Sequence, residues 1–242
     1  MNTARILTWE PGGGKSGHHA TGGHFVNAII RVFWICNENQ EVVLRYLVEK
    51  GVDLNSVVPQ QKCTPLQYAA KEGNRRIIDL LLELGADING PRGENGFTIH
   101  YALMSGNESI VRHVLDKGAV IDDSNIAWGS VIRAIKHKLT GLIPLLLEKG
   151  ADLNPPSPNC SPAAEAFENA PKEIFKMLMD HGAAFGNDFY ALERTIERRP
   201  LKDLKKLLEY GMDPNIPGDW KQAVTVSHSN DINQTLIEGY GD

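Results

Sequence analysis

Residues Thr64 to Asn89 read TPLQYAAKEGNRRIIDLLLELGADIN. Thr64 offers a hydroxyl that can cap a helix starting at Pro65, a proline placed where its missing N–H is harmless. Ala69 and Ala70 leave that helix thin on one side. Gly73 and Asn74 interrupt it. Ile77, Ile78, Leu81 and Leu82 then recur at helical spacing, and Gly85 supplies the left-handed residue that closes a second helix. The stretch therefore predicts an antiparallel helix pair. Its small first helix cannot cover the leucine face of the second, so the unit needs a copy of itself on each side.

Sliding that unit along the chain finds the copies. The glycines ending each second helix are Gly51, Gly85, Gly118, Gly150, Gly182 and Gly211, separated by 34, 33, 32, 32 and 29 residues. After them come VDLN, ADIN, AVID, ADLN, AAFG and MDPN. A period of about 33 residues with two helices per unit is specific, and the pattern resembles the ankyrin repeat. In that family a turn carrying TPLHxAA opens the first helix, a glycine and a small polar residue join it to the second, and GADxN leads into a finger-like hairpin. The resemblance covers roughly residues 25–215. It implies an all-α solenoid of stacked antiparallel helix pairs joined by β-hairpin fingers, with units at about 25–57, 58–91, 92–123, 124–156, 157–187 and 188–216.

Composition fits one such domain. Hydrophobic residues make up 42%, enough for a continuous core, and no apolar run approaches a membrane span. The N-terminal MNTARILTWEPGGGKSG lacks the pattern of a secretory signal. Cys36, Cys63 and Cys160 are odd in number and match neither a disulfide framework nor a CxxC zinc site, so a reducing compartment is expected. A net charge of −5 argues against nucleic acid as the main partner.

Residues 1–24 are rich in Gly and His without periodicity and are expected to form a disordered arm. Gly14, Lys15 and Ser16 resemble the end of a phosphate-binding loop, but Trp9 stands where that loop needs a glycine and no strand precedes it. His18, His19 and His24 lack a further metal ligand and a supporting shell. In the first unit, IRVFWIC has lost the opening signature, while Val42, Val43, Tyr46 and Leu47 are expected to share one face of its second helix. In the third unit, Asn95 to Leu103 read NGFTIHYAL, with Thr98 as the opening threonine. His100 takes the family's histidine position, and the resemblance implies a bond between neighbouring fingers. The fourth unit has Gly129, Ser130 and Val131 at its opening turn and Pro144 inside its second helix, with Thr140 as the expected cap. Ser157 before Pro158 lies in a proline-rich finger where loop rigidity is the expected purpose. Ser161 and Pro162 repeat the Thr-Pro cap. Leu201, Leu204, Leu207 and Leu208 form the sixth core face, and residues 217–242 resemble a truncated cap.

Candidate binding residues follow from the positions that the family leaves variable. The residues before each opening position are Ile29, Cys63, Phe97, Trp128, Cys160 and Phe189, a column without a polar member. Those after each Ala-Ala equivalent include Lys71, Met104, Lys136 and His137. Phe97, Met104, Trp128 and Phe189 beside Lys71, Lys136 and His137 have the composition of a protein-binding hot spot, with Lys136 as a rim charge. Phe97 and Trp128 could equally fill space between fingers with irregular turns. A second basic stretch, Arg194 to Lys206, is interleaved with carboxylates, as on a solvated helix.

No nucleophile elbow, HExxH, Gly-rich loop or repeat-spaced catalytic set is present. The expected function is an intracellular scaffold or adaptor, cytoplasmic or nuclear and monomeric, that binds another protein through its concave face. No cofactor, metal or membrane contact is implied, and no enzymatic activity. The alternative is a small-molecule-binding or catalytic protein using the aromatic groove; a closed apolar cavity would favour it.

Overall fold

The computed structural model describes residues 40–124, 128–155, 161–185 and 201–212. The expected N-terminal arm, the first helix of the first unit, the Ser157 finger tip, Phe189, the Arg194 to Arg199 stretch and the 217–242 remnant lie outside them. The described helices are α1 (Gln40–Glu49), α2 (Pro65–Lys71), α3 (Arg75–Glu83), α4 (Thr98–Met104), α5 (Glu108–Asp116), α6 (Ser130–Lys136), α7 (Ile143–Glu148), α8 (Pro162–Asn169), α9 (Lys172–Asp180) and α10 (Leu201–Glu209). Helices α2, α4, α6 and α8 stand side by side in one row, and each packs on the helix that follows it. The result is an all-α solenoid of stacked helix pairs.

Local chemistry explains the pair. Thr64 Oγ1 accepts the Gln67 N–H at 3.2 Å while Gln67 Oε1 accepts the Thr64 N–H at 2.9 Å, a reciprocal box that starts α2. Asn74 caps α3 through the Ile77 N–H. Gly51, Gly85, Gly118, Gly150, Gly182 and Gly211 all have φ between 80° and 97°, the left-handed residue that lets the chain leave a second helix. The inner turn uses Gly73 and Gly106 the same way, whereas in the fourth unit Lys138 takes φ 60°.

Second helices carry the core. Ile77, Ile78 and Leu81 are buried, as are Ile110, Val111 and Val114, then Leu142, Ile143 and Leu146. In α1 the buried set is Val43, Leu44 and Leu47, while Val42 is 65% and Tyr46 40% exposed. The face expected from the sequence is therefore one position out. Leu44, seven residues before Gly51, matches Ile78 before Gly85.

Two further expectations change. Thr140 is no cap; it lies in a 3₁₀ turn, Thr140–Leu142, that feeds α7, and Pro144 falls within the first two positions of α7. Its missing N–H is there one of the helix's unpaired donors, so the proline costs α7 no backbone bond. In the third unit the cap residue is Phe97, not Thr98. His100 sits three residues after it, as Gln67 does after Thr64, and accepts the Phe97 N–H on Nδ1 at 2.9 Å.

The fingers hold no sheet among the described residues, only isolated bridges at Val58–Cys63 and Gly93–Gly96. Side chains tie them instead. Asn55 Oδ1 accepts the Asp87 N–H at 2.8 Å, Asn89 Oδ1 the Val120 N–H at 2.9 Å and Asn154 Oδ1 the Ala184 N–H at 2.7 Å. Asn89 and Asn154 also donate to the carbonyls of Gly118 and Gly182. Each link joins a finger to the next.

Gly93 marks the tightest point of this row. A Cβ there would come 2.6 Å from Gln67 Oε1 and 2.9 Å from the Lys62 carbonyl, with the Tyr101 hydroxyl nearer still. Gly93→Ala is expected to cost about 1–3 kcal/mol through overpacking, read as a lower midpoint in urea. An unchanged midpoint would show that the finger yields freely.

Candidate protein-binding face

The exposed ends of the first helices bring the candidate residues into columns. Counting from each cap, Lys71, Met104, Lys136 and Glu168 occupy one position in successive units, and Glu72, Ser105, His137 and Asn169 the next. Lys71, Lys136 and His137 are exposed, and Met104 is half-buried against the core. The column before the cap is not the continuous apolar stripe expected. Cys63 is buried, with its thiol pushed up to about 11 by that burial, against the lowering pull of Lys71. Gly96 replaces Phe97 in this column, because Phe97 is itself the cap; its ring stands half-buried, 6.5 Å from that of His100. Among the described residues of this column only Trp128 projects, 47% exposed.

Trp128 is held from two sides. Arg133 Nε donates to the Trp128 carbonyl at 2.9 Å, and its Nη2 reaches the Asn95 carbonyl of the preceding finger at 3.0 Å. Lys136 Nζ lies 4.8 Å from the indole centroid, within cation–π range. The same ammonium pairs with Glu165 Oε2 at 2.9 Å, and the Glu165 side chain is 4% exposed. Lys136 is thus a link between the fourth and fifth units, not the free rim charge expected. His137, next along, has its pKa lowered by burial first and then by the charges of Arg133 and Lys136.

Arg133 and Glu165 escaped the sequence reading, although a signal existed. They share one position with Tyr68 and Tyr101, four residues after each cap. A guanidinium and a carboxylate in adjacent units at a column held by tyrosine in the second and third units mark a contact between units.

Asp123 positions this face. Its carboxylate is 1% exposed, and Oδ1 takes the Ser130 N–H and hydroxyl, both at 2.9 Å, and His100 Nε2 at 3.0 Å. Because His100 Nδ1 accepts from Phe97, the imidazole proton lies on Nε2 and is donated. Oδ2 takes the Asp152 N–H at 3.0 Å. Asp123 thereby caps α6 in place of an opening threonine, which explains Gly129: a Cβ there would stand 3.3 Å from the carboxylate. Burial alone raises the Asp123 pKa, but the hydrogen bond from His100, with the two bonds from Ser130, outweighs it and holds it below the ordinary value.

Two clefts open on the other face, between successive second helices. One, of about 460 Å³, is lined by Arg75, Glu108, Ser109, Arg112, His113 and Asp116. The other, of about 510 Å³, is lined by Glu41, Arg75, Arg76, Asp79, Leu80 and Glu83. Ion pairs fill their walls: His113 Nε2 meets Asp79 at 2.7 Å and Arg112 pairs with Glu108 at 2.8 Å. Among the described residues no helix is long and apolar enough to cross a membrane.

Stacked helix pairs closed by left-handed glycines and joined finger to finger define a repeat protein. The comparisons agree with that reading: residues 27–92 match the model for ankyrin repeats (3 copies), and this match together with the stacked fold supports an ankyrin repeat protein. The chain is 27% identical over 117 residues to ankyrin repeat protein FPV244 of fowlpox virus, covering 48% of this chain and 17% of that protein. To palmitoyltransferase AKR1 of Lachancea kluyveri it is 36% identical over 98 residues, 40% of this chain and 13% of that protein. This chain spans less than a fifth of the length of either relative, and the second likeness brings no enzymatic activity with it. The ankyrin repeat domain of human ASB11 superposes with a TM-score of 0.57 at 19% identity, over 90% of this chain and 98% of that one.

Proposed function

We propose that this chain is an intracellular scaffold or adaptor that seats a partner protein on its first-helix face, centred on the third and fourth units. Ankyrin repeats are in general protein-interaction modules. The observation that carries the reading is Trp128: a half-exposed indole whose backbone is held by Arg133 and whose ring is faced by Lys136, both from within its own unit. A large aromatic immobilised before binding loses little conformational entropy on contact, which is what an anchor requires. Met104 and Phe97 offer apolar surface beside it. The alternative of a small-molecule or catalytic groove gains no support from the two clefts, which are charged and lie on the second helices, away from Phe97, Trp128 and His137. An intracellular setting accords with Cys63 as a buried free thiol.

Trp128→Ala separates anchoring from packing by magnitude. An exposed cation–π contact is worth about 0.5–1 kcal/mol of stability, whereas loss of an anchor costs at least about 2 kcal/mol of affinity. The partner is first captured by a photoreactive side chain at position 128, with position 112 on the second-helix face as control. Its affinity and the thermal midpoint are then measured on the same variant. Equal capture from both positions, or unchanged affinity, would remove this face from consideration.

A further inference from the structure

We propose that the segment bound against Trp128 is acidic, with one or two carboxylates beside an apolar side chain that stacks on the indole. This rests on the docking reading above and names the partner's chemistry. Around Trp128 the acids are already engaged inward. Asp123 is spent on His100, Ser130 and Asp152, and Glu165 on Lys136 and Asn169. The cations are not matched in the same way. Lys138 is exposed and has no carboxylate within ion-pair distance among the described residues. Arg133 is buried, and it bonds only carbonyls. The pKa of His137 is lowered first by burial and then further by the charges of Arg133 and Lys136. Glu72 and Glu168 bound this stretch on the second and fifth units, so it is confined to the turn after α6. A chain with net charge −5 thus presents a small positive spot beside its exposed tryptophan. Charge complementarity there selects the partner and speeds its arrival. The spot is too short to follow a phosphate backbone, which rewards a long row of cations.

The probe is the synthetic hexapeptide Glu-Glu-Leu-Phe-Glu-Glu, blocked at both ends and titrated into the full chain labelled at its four tryptophan indoles. The Trp128 resonance is assigned through Trp128→Phe. The peptide is expected to move that resonance saturably and to bind about tenfold more weakly to Lys138→Glu, since reversing one charge at contact distance is worth about that factor. Raising the salt should weaken it, and the lysine counterpart should not move the resonance. Because Lys138 has no ion-pair partner among the described residues, an unchanged thermal midpoint in Lys138→Glu will show that the fold is intact. Equal binding of the lysine peptide, no response to either peptide, or tighter binding of a thymidine dodecamer overturns the proposal. If capture at position 128 succeeds while the acidic peptide fails, the partner's chemistry is wrong and the docking face stands. If capture also fails, the docking reading falls with it.

Discussion

Leu81→Ala is expected to lower the unfolding free energy by about 2–5 kcal/mol, the range for emptying a buried leucine site that cannot fully collapse. Leu81 is completely buried on α3, beneath the small α2 and within the continuous core. The alanines of α2 at positions 69 and 70 have no longer side chain to swing into the void, so the upper part of the range applies. Urea unfolding read by circular dichroism measures it as a fall in midpoint. An unchanged midpoint would mean that Leu81 is not packed between units, and the placement of α2 on α3 would have to be redrawn.

Substitution of Asp123 is expected to be nearly as costly, and costly for Asn as well as Ala. Four donors converge on this carboxylate: His100 Nε2 on α4, the N–H and hydroxyl of Ser130 at the start of α6, and the Asp152 N–H of the next finger. Alanine leaves them unpaired in the interior, at about 3 kcal/mol or more. Asparagine keeps one oxygen but turns an NH₂ group toward donors, so it repairs little. The same site governs behaviour in acid. Because the folded pKa lies below the unfolded one, the contribution of Asp123 is complete above the unfolded value and is lost as pH falls through the folded value. Thermal midpoints of the wild type should therefore drop on acidification below about pH 4, and Asp123→Asn should show a shallower drop from a lower start. Parallel curves for the two proteins would exclude Asp123 as the titrating group.

The helix pairs were legible because their signals are local. Gly85 must adopt a positive φ wherever it stands, and Ile77, Ile78 and Leu81 declare one face of a helix without reference to other units. The misplaced positions share a different cause. Thr98 looked like a cap because threonine usually is one, but the position three residues before His100 belongs to Phe97, and the histidine pays Phe97's N–H its bond. In α1 the spacing from Gly51 identifies Leu44 correctly, while the helical spacing of Val42, Val43, Tyr46 and Leu47 pointed to Tyr46. Of the candidate face, the exposure of Trp128 could be inferred, but the commitment of Lys136 to Glu165 could not. That contact joins side chains 29 positions apart and exists only once two units are stacked in register.

The links at Asn55, Asn89, Asp123 and Asn154 have a mechanical consequence. Each joins only adjacent fingers, so the row behaves as springs in series, and a repeat stack pulled along its length yields where one spring is weakest. Three of the springs are amides, whose bonds do not change with pH. The fourth is a carboxylate near the middle of the chain. As it protonates it weakens its hold on the Asp152 N–H, at the boundary between the third and fourth units, while the three amides keep theirs.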